Sequence, residues 1–359
     1  MKLSFLLSAP PDVSSPLELG PRPEASEIPA VRRFGDPAVE LAALRRGAGL
    51  LDASDGGRVV VEGADAATFL HRLLANDVRG LAAGEGNESL LLSPQGRVLA
   101  SMHLARTAAA TFSLELPPDR APGLSRALEA YLFAEDVCIS ERTEETAPVL
   151  VAGPRAEEVV RTLSGGALPS PGVHGRFALA GGSALIRRAP FFGATAFVVD
   201  AGPGGVQAIW SAAQAAGATP VGLDAREVFR VEAGEPLFGA EIDETVYPQE
   251  AGLEHAFALD KGCYVGQEVV AKIDTYGGKN RALVGWRLAD DTPREKGTQV
   301  FRAETMEAVG ALTSWVRSPR LGTGLALGYA RLRALGGASG FRIEGTQAAL
   351  VSFPLGDSP

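Results

Sequence analysis

Two apolar periods alternate between residues 58 and 142, and that alternation restricts the fold more than any other feature of the chain. RVVVEG at 58–63 is β-branched and reads as a strand. In the DAATFLHRLLAN that follows, Asp65 stands as N-cap, Phe69, Leu70, Leu73 and Leu74 share one helical face, and Asn76 can close the helix. ESLLLSPQGRVLASMHLAR at 88–106 holds two apolar strands around a Ser93-Pro94-Gln95-Gly96 turn. TFSLELP at 111–117 is a further strand, and LSRALEAYLF at 124–133 is a helix with Leu124, Leu128 and Leu132 four apart. DVCISER closes the region as a strand, with Cys138 expected in its core. The order β-α-β-β-α-β predicts a ferredoxin-like unit over 58–146.

The flanking segments predict the remaining domains. Residues 1–29 are rich in Pro and Ser and read as an irregular arm. Residues 30–57 and 147–276 form a discontinuous central α+β domain: a strand at 147–154, helices at 155–163, 206–216 and 224–234, and strands near 176–187 and 195–200. In the 224–234 helix, Asp224 and Glu227 have capping-box spacing and Gly234 marks the end. After residue 277 short strands separated by Gly, Pro and Asp predict a small all-β, barrel-like domain over 277–359. The fold class is therefore α+β.

At 359 residues and 46% hydrophobic composition, the chain can bury large cores. Its net charge of −9 weighs against a general nucleic-acid or membrane-surface binder. No run approaches the ~18 apolar residues of a membrane span. Two cysteines, Cys138 and Cys263, are too few for a disulfide framework and fit a reducing cytoplasm. His71, His103, His174 and His255 lack metal-ligand spacing, so no metal site is expected. There is no phosphate-binding loop, and GTGLALG at 322–328 reads as a β-turn region.

The segment DKGCYVGQEVVAK at 260–272 is the chemically suggestive one. If 261–263 are extended, Lys261 and Cys263 point to one side. Gly266 can cap a helix whose first turn holds Gln267 and Glu268. A lysine neighbour and a helix N-terminus both favour a thiolate. The alternative is a turn cysteine packed under Tyr264.

KGCYVGQEVVAK resembles the K-G-C-Y-x-G-Q-E signature of YgfZ-type folate-binding proteins, whose fold is shared with the glycine cleavage T protein, an aminomethyltransferase. LLDASDGGRVVVEGADAATFLHRLLANDV is similar to that superfamily's opening, FRVEAGEPLFGAEIDETVYPQEAGL at 229–253 to its central run, and GALTSWVRSPRLGTGLALGYAR to its closing domain. The resemblance covers roughly 30–357 and implies three domains around a central cavity. It also implies tetrahydrofolate or a derivative as ligand, and iron–sulfur client or assembly proteins, including tRNA-modifying enzymes, as partners. The transferases carry acidic residues where this chain has Ala100 and Ser101, and neither of these can hold the charge that acid/base chemistry there needs. The segment FFGATAFVV at 191–199 likewise places Ala194 and Val198 where transferases carry glutamates. The expectation is thus an accessory protein without aminomethyl transfer, the alternative being a tetrahydrofolate-dependent aminomethyltransferase.

The resemblance names Cys263 and Lys261 as candidate catalytic residues and Arg230, Tyr264 and Gln267 as candidate folate contacts. Arg230 shares a helix face with Arg226, and either steers an anionic ligand or pairs with Glu227. Tyr264 either stacks on a pterin or covers the core. Lys261 either polarises Cys263 or pairs with an acid. Glu241 and Asp243 are pocket acids or turn residues, and Gln249 and Glu250 position the loop before Ala251.

Overall fold

The computed structural model describes residues 5–8, 18–21, 29–179 and 182–355. Two compact units divide the chain. The first comprises Met1–Leu92, Ala100–Arg226 and His255–Val265, and the second Ser93–Leu99, Glu227–Glu254 and Gly266–Pro359.

Among the described residues the first unit holds a two-stranded, a five-stranded and a six-stranded sheet. The five-stranded sheet runs Gly86–Leu92, Val98–Ala108, Thr111–Leu116, Gly57–Glu62, Cys138–Glu141. Its five strands include the one read at 111–117, and they exceed the four of a β-α-β-β-α-β order because Thr111–Leu116 lies between Gly57–Glu62 and Val98–Ala108 and pairs with both. The helix Ala66–Leu73 buries Phe69, Leu70 and Leu73 as the sequence period predicts. The second helix is Ala121–Glu129, shorter than the 124–133 reading. Beyond it, the Glu135 carboxylate accepts from the N–H groups of Phe133 and Ala134, which draws that backbone out of the helix. Cys138 is exposed, contrary to the core role expected of it: it sits at the start of an edge strand in which no residue is buried.

The six-stranded sheet runs His174–Leu179, Gly182–Phe191, Ala194–Asp200, Pro148–Ala152, Gly49–Asp52, Thr219–Pro220, with only the last pair parallel. Its turn at Phe192 and Gly193 has positive φ at both residues, the tight-hairpin geometry. Its core surrounds Trp210, against which Phe5 and Phe34 lie at ring-centroid distances of 5.4 and 5.7 Å. Within the irregular arm expected over 1–29, the described residues include a helix, Phe5–Ser8, and a strand, Glu18–Pro21, paired with Pro29–Arg33; the rest of that expectation lies outside the described residues. Charged pairs join the two larger sheets: Arg58 meets Asp200 at 2.7 Å and Arg187 meets Glu115 at 2.7 Å. Burial opposes ionisation of Glu115, but Arg187, His103 and Arg58 outweigh it and hold the carboxyl down at about 2.

The second unit closes six strands into a barrel in the order Arg281–Leu288, Thr323–Arg331, Ala308–Ser318, Gln299–Arg302, Phe341–Ile343, Thr346–Val351. Closure leaves no free sheet edge. Trp286 fills the interior edge-on to Phe341, with ring centroids 4.8 Å apart. The helix Leu223–Ala233 turns Val228 and Val231 toward barrel residues Val316, Leu325 and Leu327. Its predicted capping box does not form. Asp224 lies inside the first turn and accepts from Arg32 and Arg33, while Glu227 is taken by Arg230.

Candidate functional site

The cysteine segment is fastened by its backbone. The Ala258 N–H donates to the Ala75 carbonyl at 2.9 Å, and Asn76 Nδ2 donates to the carbonyls of Glu88 at 2.7 Å and His255 at 3.1 Å. Asn76 is thus a clamp on two chain segments rather than a helix stop, since the helix ends with Leu74 as its C-cap. At Lys261 the contact is reciprocal: the Lys261 ammonium donates to the His71 carbonyl, and His71 Nε2 lies 2.8 Å from the Lys261 carbonyl. The Val78 and Arg79 N–H groups point at His71 Nδ1, each at 3.4 Å. Asp77 Oδ1 stands 3.2 Å from the same Nδ1.

Burial pushes the Lys261 ammonium down to about 8; Asp77 pulls upward, Arg79 reinforces the fall, and Cys263 opposes it. The ammonium stands 4.9 Å from the centre of the Tyr264 ring. Tyr264 is buried, its hydroxyl has no hydrogen-bond partner among the described residues, and burial pushes the phenol up to about 12.

Cys263 is exposed and free. Gly262 has φ +108°, so 261–263 are not an extended run and the strand-like alternation expected of Lys261 and Cys263 does not apply. The cysteine is therefore not packed under Tyr264; the chain reverses its facing, leaving the thiol open and the tyrosine inside. Three residues later Gly266, at φ +82°, caps the helix Gln267–Tyr276. A Cβ on Gly266 would stand 2.5 Å from the Ser93 carbonyl, so glycine there admits the Ser93–Gly96 turn of the same unit. Gln267, the first helical residue, already interacts within the protein.

Arg230 is elsewhere in kind. It is fully buried, and its Nε and Nη2 donate to the two Glu227 oxygens. Nη1 donates to the Glu235 carbonyl at 2.6 Å and to Glu241 Oε2 at 2.8 Å, and Nη2 also reaches Ser314 Oγ at 2.7 Å. All five guanidinium N–H groups are thereby used. Burial alone would lower the group's pKa, but Glu227 and Glu241 raise it. Glu241 is saturated in turn by Thr313, Ser314 and the Leu237 N–H. So Arg230, expected to face a ligand, presents no donor to one, and Glu241 is a structural acid. Ala100 is buried and Ser101 half-buried on the strand Val98–Ala108.

Sequence reasoning overlooked His71 and Asn76, which set the Lys261 loop. No local spacing signals them: His71 is 190 residues from its partner and Asn76 is 179 from His255. Among the described residues no group of three His, Cys, Asp or Glu could hold a metal ion, and no helix is long and apolar enough to cross a membrane.

Residues 29–261 match the GCVT N-terminal domain. An aminomethyltransferase of Rubrobacter xylanophilus is 32% identical over 299 residues, covering 82% of this chain and 79% of that protein. A putative chloroplastic transferase of Arabidopsis thaliana is 29% identical over 314 residues, covering 87% of this chain and 72% of that one. The glycine cleavage system aminomethyltransferase T of Bartonella henselae shares the fold, with a TM-score of 0.81 at 23% identity and 94% of each chain covered.

Proposed function

The chain belongs to the family of the GCVT N-terminal domain, and on that premise we propose that it is a folate-binding accessory protein of YgfZ type, supporting the assembly or repair of iron–sulfur enzymes. The observation that carries this reading is the open thiol of Cys263, two residues from a half-buried lysine whose amine is lowered to about 8. Such an amine exchanges protons near neutral pH far more readily than a solvated lysine. Ala100 and Ser101 support the same reading, because neither offers the carboxylate that aminomethyl transfer calls for.

The residues present fit a folate in part. The Tyr264 hydroxyl, buried and unpartnered among the described residues, can donate to or accept from a pterin, and Lys261 adds a cation beside it. Arg230 does not contribute, since its donors are spent inside the protein. A bound folate supplies a one-carbon carrier; the chain's own part is to bind and orient it and to hold the thiol and amine on a fixed loop.

The test is paired. Tetrahydrofolate titrated into the protein is expected to bind saturably at or below ~100 µM, and Tyr264→Phe to weaken it. A strain lacking its own YgfZ-type protein is expected to regain iron–sulfur enzyme activity with the wild-type chain and not with Cys263→Ala. Full rescue by Cys263→Ala removes the cysteine from the function. The second reading, aminomethyl transfer, is favoured by the names of the relatives. Methylenetetrahydrofolate formed from an aminomethylated lipoyl carrier would put it in place of the first.

A further inference from the structure

Three cations of the second unit converge on the loop at 245–250: Arg97, Lys279 and Arg281. The Thr245 carbonyl accepts from Arg97 Nη1 at 2.5 Å and from Arg281 Nη2 at 2.7 Å. Glu250 Oε2 lies 3.6 Å from the first and 3.1 Å from the second, and also accepts from the Tyr247 N–H at 3.1 Å. Lys279 Nζ reaches the Gln249 carbonyl at 3.4 Å.

The guanidinium planes are held as well as located. Arg97 lies 3.5 Å from the centre of the Tyr247 ring and Arg281 lies 4.7 Å from that of Tyr329. The Tyr329 hydroxyl is fixed in turn on the Glu241 carbonyl at 3.0 Å. Glu250 is the one carboxylate in contact with these cations among the described residues. Asp243 spends Oδ1 on the Thr245 N–H and hydroxyl.

Glu250 and Asp243 together offset two positive charges; the site has three. Nε and the second Nη of both arginines have no protein acceptor among the described residues, and the side chains are 32% and 33% exposed. The result is a preorganised set of outward donors with excess positive charge on a chain of net charge −9. We propose that Arg97, Lys279 and Arg281 form an oxyanion site that takes the phosphate or carboxylate group of a small ligand. Planar forks of this kind match both groups in a bidentate manner, and Lys279 adds an unoriented charge. The site is independent of the folate reading, because it needs no pterin.

Calorimetric titration of the full chain with inorganic phosphate, pyrophosphate and glutarate, at constant ionic strength against chloride, tests it. Saturable binding is expected, and its preference for a phosphate or for glutarate identifies the source of the oxyanion. Arg97→Gln with Arg281→Gln is expected to weaken that binding at least about tenfold, and Lys279→Gln by about two- to fivefold. Lys279 is exposed and its one contact is long, so Lys279→Gln keeps the test readable if the double variant does not fold. No saturable heat with any of the three anions overturns the proposal. So does binding that Lys279→Gln and any folded arginine variant leave unchanged.

Discussion

Arg230 and Lys261 are both cations set among acids and carbonyls, yet the protein treats them oppositely. Arg230 has no exposed surface, and each of its N–H groups meets an acceptor, three of them on the carboxylates of Glu227 and Glu241. Lys261 is half-buried, has one protein acceptor, and meets Asp77 only through the longer-range field. In the first case desolvation is outweighed by paired charge and the guanidinium is locked on; in the second it is not, and the ammonium is brought within reach of deprotonation. A closed charge network builds a scaffold, and an under-satisfied one leaves chemistry available.

The comparison breaks first at Arg230. Arg230→Met leaves Glu241 buried without its cation and is expected to cost about 3–5 kcal/mol in urea unfolding. Arg230→Lys is expected to recover only part of that, since three N–H groups cannot replace five in a planar fork. A loss under about 0.5 kcal/mol would make the network incidental.

At Gly266, alanine must adopt φ +82° and meets the Ser93 carbonyl at 2.5 Å, so Gly266→Ala is expected to cost about 1–3 kcal/mol by the same measurement.

Lys261 gives the pH dependence. Its folded pKa of about 8 lies below the unfolded value near 10.5, so between these values the unfolded chain binds more protons and stability rises with pH through this group. Below about 8 the cost of holding the charge is fully present. Competitive amine labelling should give Lys261 a midpoint near about 8, against roughly 10.4 for exposed lysines. A midpoint at the ordinary value would erase the contrast with Arg230.

The smallest effect is expected at the thiol. Cys263 is exposed, so Cys263→Ala should change stability by less than about 0.5 kcal/mol. A larger loss would move the cysteine from the open side of the comparison to the structural one.

Periodicity made much of this legible in the sequence: the 57–62 strand, the 66–73 helix, the 86–108 hairpin and a barrel-forming tail follow from side chains whose partners lie one turn or one strand away. The candidate residues around Cys263 were visible for a different reason, a lysine neighbour, an expected helix start at the Gly266 cap and a family motif. The facing of Lys261 and Cys263 was not, because a single positive φ at Gly262 cancels the alternation on which that reading stood. Cys138 was misplaced because strand periodicity does not say which strand ends a sheet.

Local sequence determined the elements, the family motifs and the identities of the candidate site residues. Tertiary structure alone decided which charges were spent. Arg230 found Ser314, 84 residues away, while Lys261 found the carbonyl of His71 across 190 residues. Burial and hydrogen-bond satisfaction are properties of positions in space, and partners so distant in the chain leave no period to read.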